Sequence, residues 1–99
     1  MAIDAYENLQ IVRGTVAEDG TRIAGHGFKA TKVGTGKYLI TFNNDFLEKP
    51  SVVANLDGEV WSGLDDAHVS DATTEKVTVL TSNSNGARAD RAFHFIAMG

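Results

Sequence analysis

The sequence predicts an all-β protein, an antiparallel β-sandwich of about six strands, and three observations carry that reading. Tyr38, Ile40 and Phe42 alternate with Leu39, Thr41 and Asn43. This is the two-residue period of a strand with one strongly apolar face. A short loop containing Phe46 follows, then the single proline, Pro50, and then a second β-rich run, Val52-Val53-Ala54-Asn55-Leu56. No window holds a helical stripe, and short strands recur at regular spacing with turn chemistry between them.

Residues 1–8 show no alternation and read as a helical or irregular lead-in to a single domain over 9–99. Met1-Ala2 reads as a translation start, with no charged-then-apolar leader behind it. Leu9 to Val16 reads as the first strand, and Glu18-Asp19-Gly20-Thr21 as a turn. Arg22 to Gly27 is ambiguous, because Gly25 and Gly27 weaken a strand and suggest a bulge or a close backbone approach. Phe28 to Val33 resumes a strand, Gly34-Thr35-Gly36 makes a tight hairpin, and Lys37 to Asn43 returns antiparallel. Asn44 to Lys49 is a loop closed by Phe46. Ser51 to Leu56 is the next strand. Asp57 to Asp71 reads as the longest irregular region, interrupted by Val60-Trp61 and Ala67-His68-Val69. Lys76 to Thr81 is a β-branched strand, Ser82 to Asp90 a polar hairpin loop, and Arg91 to Ala97 the last strand. The expected core is Val12, Phe28, Tyr38, Ile40, Phe42, Phe46, Val52, Val77, Val79, Phe93 and Phe95.

Composition narrows the function classes. The 99 residues carry 13 acidic and 9 basic side chains, a formal charge of −4. No basic cluster stands out, and Arg88 and Arg91 flank Asp90, so nucleic acid is not an expected partner. The chain lacks cysteine, which excludes disulfides, thiolate metal sites and cysteine nucleophiles. Its apolar runs are far too short to span a bilayer, so it is not read as membrane-embedded.

The candidate chemistry is sparse. His26, His68 and His94 lack metal-ligand spacing. Asp57, Glu59, Asp65, Asp66, Asp71 and Glu75 form an acidic stretch, but no dense calcium-loop pattern accompanies it, and a solvated loop set explains it. No metal or cofactor is expected. Asp65 and Asp66 are adjacent and do not make an acid/base pair across a substrate. Neither a nucleophile elbow nor a phosphate loop is present, so no enzyme activity is expected. Trp61, the single tryptophan, has two readings. Burial statistics favour a core or interface plug; the other reading is a platform on which a pyranose stacks while carboxylates accept its hydroxyls.

Several segments together carry a resemblance. They are Arg13-Gly14-Thr15-Val16, Gly25-His26-Gly27-Phe28, the Gly36, Tyr38, Ile40 and Phe42 run, Phe46 with Pro50 and Val52, and Phe93 to Gly99. From about Ile11 to Gly99 the chain resembles the C-terminal head domains of phage tail fibres and related bacterial surface proteins, which are in turn similar to the H-type lectin fold. The resemblance implies a lectin-like homotrimer on a virion or in the extracellular space, acting as an adhesin. In H-type lectins the protomers join through their sheets and galactose-type sugars bind in loop clefts. None of their ligand residues aligns with a motif here, so only the fold and the receptor-binding role carry over.

Assembly also has a motive in the residues themselves. The last strand places Phe93 and Phe95 on one face and His94, Ile96 and Met98 on the other. The first strand is likewise apolar on both faces. A sandwich has one inner face per sheet, so a second burial surface is implied, either a partner subunit or the sandwich ends. The expected function is non-catalytic recognition of a cell-surface glycan. The candidate ligand residues are Trp61 to stack, Asp65 and Asp66 to accept hydroxyl hydrogens, and His68 to donate. Asn83, Asn85 and Arg88 form a second set. The competing reading is a structural domain that trimerises or caps a fibre and binds no ligand.

Overall fold

A computed structural model describes residues 9–99, and the lead-in over 1–8 lies outside the described residues. These residues form no helix; they build eight strands rather than about six. In chain order the strands are β1 (Ile11–Val16), β2 (Arg22–His26), β3 (Phe28–Gly34), β4 (Lys37–Phe42), β5 (Ser51–Leu56), β6 (Asp66–Ala72), β7 (Lys76–Ser82) and β8 (Phe93–Met98). They pair antiparallel into two four-stranded sheets, ordered β2-β1-β8-β5 and β3-β4-β7-β6. The two sheets bury one face each against the other, a β-sandwich.

The two additional strands come from the ambiguous segments. Arg22 to His26 is an edge strand, which tolerates glycine because only one side must pair. The region from Asp57 to Asp71 is irregular only to Asp65; β6 begins at Asp66. Its alternation is hidden by a bulge between Val69 and Asp71 and by small inward residues, Ala67 and Ala72. The stretch after Ser82 is not a hairpin loop. β7 and β8 lie in different sheets, and residues 83–92 carry the chain across the sandwich.

The alternating positions fill the core. Tyr38, Ile40 and Phe42 of β4 face Val77 and Val79 of β7 within one sheet, and Phe93, Phe95 and Ala97 of β8 come from the other. Phe28 meets Phe95 edge-on at 5.0 Å, and Phe42 meets Phe46 edge-on at 4.8 Å. These offset geometries align ring edges with ring faces and add to area burial. Ten of the eleven expected core residues are buried, and Val52 is half-buried on a strand at the sheet edge. Val16, Ala67 and Ala97 complete the buried apolar set.

Gly14 and Gly25 explain how β2 turns into β3. They pair across β1 and β2. A Cβ on Gly14 would stand 2.3 Å from the Phe28 ring, and one on Gly25 would stand 2.0 Å from the Arg13 carbonyl oxygen. Gly25 also has φ of 93°, a left-handed value that side chains disfavour. The chain then passes Gly27 into the second sheet, and Phe28 folds over the bare patch. The sequence expectation of a close backbone approach here is met.

The register fixes two poles. Gln10 and Gly99 exchange backbone hydrogen bonds of 2.8 and 3.1 Å at one of them, alongside residues 43–50 and 73–75. The β1–β2 turn, the β3–β4 turn and residues 57–65 and 83–92 gather at the other.

Candidate functional site

The pole that carries the candidate residues is held together by side chains reaching between its loops. Tyr38 Oη donates to the Glu18 carbonyl at 2.6 Å, tying the β1–β2 turn to the core. Asp90 accepts from the Gly36 amide at 2.8 Å and pairs with Lys32 Nζ at 2.6 Å, tying residues 83–92 to the β3–β4 hairpin. The Lys32 ammonium, then the Gly36 amide, hold the Asp90 carboxyl below its ordinary value. Asp90 therefore does not neutralise the flanking arginines, as sequence adjacency suggests. Its charge is matched by Lys32, and Arg91 is matched elsewhere.

Arg91 turns to Asp65. Its Nη1 donates to Asp65 Oδ1 at 2.6 Å, and its Nη2 to the Glu59 carbonyl at 2.9 Å. Asp65 Oδ2 accepts from the Trp61 amide (2.6 Å), the Ser62 amide (3.0 Å) and the Ser84 hydroxyl (2.7 Å). The Ser84 hydroxyl first, then Arg91 and the two amides, hold the Asp65 carboxyl far below the usual carboxylate range, against the opposing effect of desolvation. Two further bonds close the seam: Ser62 Oγ donates to the Ser84 carbonyl at 3.0 Å, and Ser82 Oγ to the Leu64 carbonyl at 2.7 Å.

This changes the role expected of Asp65. Its side chain has no solvent exposure, and four donors occupy its oxygens, so it is not placed to accept hydroxyls from a ligand. It is a positioning residue that fixes the loop carrying Trp61. The partners that matter, Arg91, Ser62, Ser82 and Ser84, escaped the sequence reading. Arg91 is 26 residues from Asp65 in the chain, and serines in loops carry no distinguishing spacing.

The other candidates divide between two places. Trp61 is 79% exposed on the pinned loop, so it is not a core plug of the isolated subunit. Asp66 and His68 stand on the outer face of β6, His68 Nδ1 lying 3.0 Å from Asp66 Oδ2. Asn83 shapes its own turn, its Oδ1 accepting from the Asn85 and Ala87 amides at 2.9 and 3.1 Å. Asn85 and Arg88 are exposed on that same connection. The Asp65 seam joins the two groups along one edge.

Beside the loop that carries Trp61 lies an open cleft of about 330 Å³. Asn55 and Leu56 of β5 form one wall, Gly58 and Val60 of the connecting loop another, and Asp65 with Asp66 a third. It occupies the gap where the edge strands β5 and β6 close that side of the sandwich. The cleft offers one amide, one solvent-facing carboxylate and the apolar side chains of Leu56, Val60 and Ala67.

Among the described residues, no three His, Asp or Glu side chains converge on a point that could hold a metal ion. Among the described residues, no helix is long and apolar enough to cross a membrane. No protein-family model matches the chain, and neither a curated protein nor a solved structure shows significant similarity to it.

Proposed function

We propose that this domain is a non-catalytic receptor-binding module whose loop pole recognises a cell-surface glycan, in the setting the resemblance implies: the homotrimeric head of a tail fibre or related adhesin, extracellular or on a virion. One observation carries this reading. The single tryptophan is 79% exposed on a loop that a buried, fully hydrogen-bonded aspartate holds in place. Leaving an indole in water forgoes favourable apolar burial. Ordering its loop in advance lowers the entropy lost when a ligand binds.

The neighbouring chemistry supports the same use. A pyranose ring presents C–H groups to an indole face and hydroxyls to Asn55, Asp66 and His68. The cleft is shallow and a single site of this kind binds weakly, so several copies on one assembly raise the effective affinity. The loop pole also lies opposite the Gln10–Gly99 pole.

A glycan array tests the proposal. Trp61→Ala should abolish hits obtained with the parent protein while leaving its circular dichroism unchanged. Silence of the folded parent across a broad array would sink it. A structural reading has its own support: Ile11, Val53, Ile96 and Met98 are exposed together on the outer face of β2-β1-β8-β5. Array silence with a stable trimer in light scattering would establish that alternative.

A further inference from the structure

The cleft beside the Trp61 loop has a one-sided charge, and the inference drawn from it rests on the recognition reading above. Two of its wall residues are ionisable, Asp65 and Asp66. Arg91 balances Asp65 at 2.6 Å and also donates to the Ser82 and Glu59 carbonyls. Asp66 stays about half exposed, with His68 as its only salt-bridge partner among the described residues. No lysine or arginine lines the cleft. Asp57 and Glu59, exposed on the same loop, alternate with the wall residues Gly58 and Val60 and add two more carboxylates.

We propose that the cleft beside the Trp61 loop binds uncharged pyranosides and rejects glycans that carry carboxylate, sulfate or phosphate groups. An anionic sugar held there meets Asp66 with no arginine or lysine to offset it. One like-charge contact at about 6 Å in a half-wet site weakens binding about tenfold. An uncharged sugar avoids that repulsion. It can donate a hydroxyl to Asp66, exchange hydrogen bonds with the Asn55 amide, and set its C–H face against Val60.

Trp61, the only tryptophan, follows the wall residue Val60 and its amide donates to the wall residue Asp65, so its emission is one readout and calorimetry is the second. The intact protein is titrated with N-acetylchitotetraose, maltotetraose and galactotetraose, and separately with hyaluronan tetrasaccharide, tetragalacturonate and sialyllactose. Saturable shifts with at least one uncharged probe, unaffected by salt, and binding at least about tenfold weaker for every anionic probe are expected. Asp66→Lys, which reverses the unbalanced charge, should narrow that gap; an unchanged gap overturns the inference. Preference of the parent for an anionic probe overturns it as well, and leaves the recognition reading standing. No response to any probe from folded protein, in emission and in calorimetry, overturns both together.

Discussion

Asp65 and Arg91 meet at 2.6 Å across 26 residues of sequence, and their contact joins the loop carrying Trp61 to the connection between β7 and β8. Val60, Trp61 and Leu64 on the first loop are each more than half exposed, so apolar burial does not fix it. The pair and its serine partners do that by charge-assisted hydrogen bonds in a site shielded from water. Removing either member strands the other, so the two losses overlap. In a double-mutant cycle, Asp65→Ala and Arg91→Ala should each lower the denaturation midpoint, and the double variant should lose clearly less than their sum. Strict additivity would show that the contact carries no coupling.

Acid should loosen the same pole. Asp65 and Asp90 are both held below their ordinary values, chiefly by the Ser84 hydroxyl and the Lys32 ammonium respectively. A carboxyl whose folded value is depressed contributes stability that is complete above its unfolded value, about pH 4. That contribution is lost as pH falls from there through the folded value. Urea midpoints measured downward from neutral pH should therefore hold steady and then drop below about pH 4. Asp65→Asn should start lower and fall less steeply; an unchanged acid limb in that variant would count against the assignment.

Gly25→Ala should be among the most damaging small substitutions. The added carbon would overlap the Arg13 carbonyl oxygen at 2.0 Å and occupy φ of 93°. A loss of at least about 2 kcal/mol is expected. Gly63→Ala is the control: nothing lies within 4 Å of its added carbon, and a change within about 0.5 kcal/mol is expected. Chemical denaturation of both variants settles the contrast, and equal effects would refute it.

Phe95→Ala should cost about 3–5 kcal/mol. It leaves a cavity between the sheets and removes the partner of Phe28, whose ring centroid is 5.0 Å away. Loss of the cooperative unfolding transition at moderate temperature would agree with this. A shift below about 1 kcal/mol would mean the core closes around the gap.

Ile96→Lys tests assembly separately from folding. Ile96 lies between Arg13 of β1 and Val53 of β5 on the outer face, 47% exposed. A surface change of this kind alters subunit stability by about 0.5 kcal/mol or less. If copies bury this face, light scattering should show the variant at lower mass than the parent. A parent that is already monomeric would remove both the trimer and the avidity it supplies.

Much of the sandwich is legible in single runs of sequence. Tyr38-Leu39-Ile40-Thr41-Phe42 specifies its own inner and outer faces because side-chain direction in a strand depends only on parity. The same holds for Phe93 to Met98, and the Gly25 and Gly27 pair announces a tight approach. β6 is less legible. Its inner residues are small, and the bulge between Val69 and Asp71 shifts the parity halfway along. Ser82 to Asp90 has the composition of a hairpin, yet which sheet receives the next strand depends on Phe93 and Phe95 finding the opposite layer.

The candidate site divides in the same way. Residue type alone marks Trp61 as unusual. Its exposure, and the inward turn of Asp65 beside it, depend on Arg91 and Ser84 arriving from a distant segment. Local periodicity determines which atoms of a strand face inward, because it is a property of neighbouring residues. Which loop carboxylate is enclosed and which meets solvent is decided only when the two sheets close, because hydrogen-bond partners 19 and 26 residues away enclose Asp65, while Asp66 meets only its near neighbour His68.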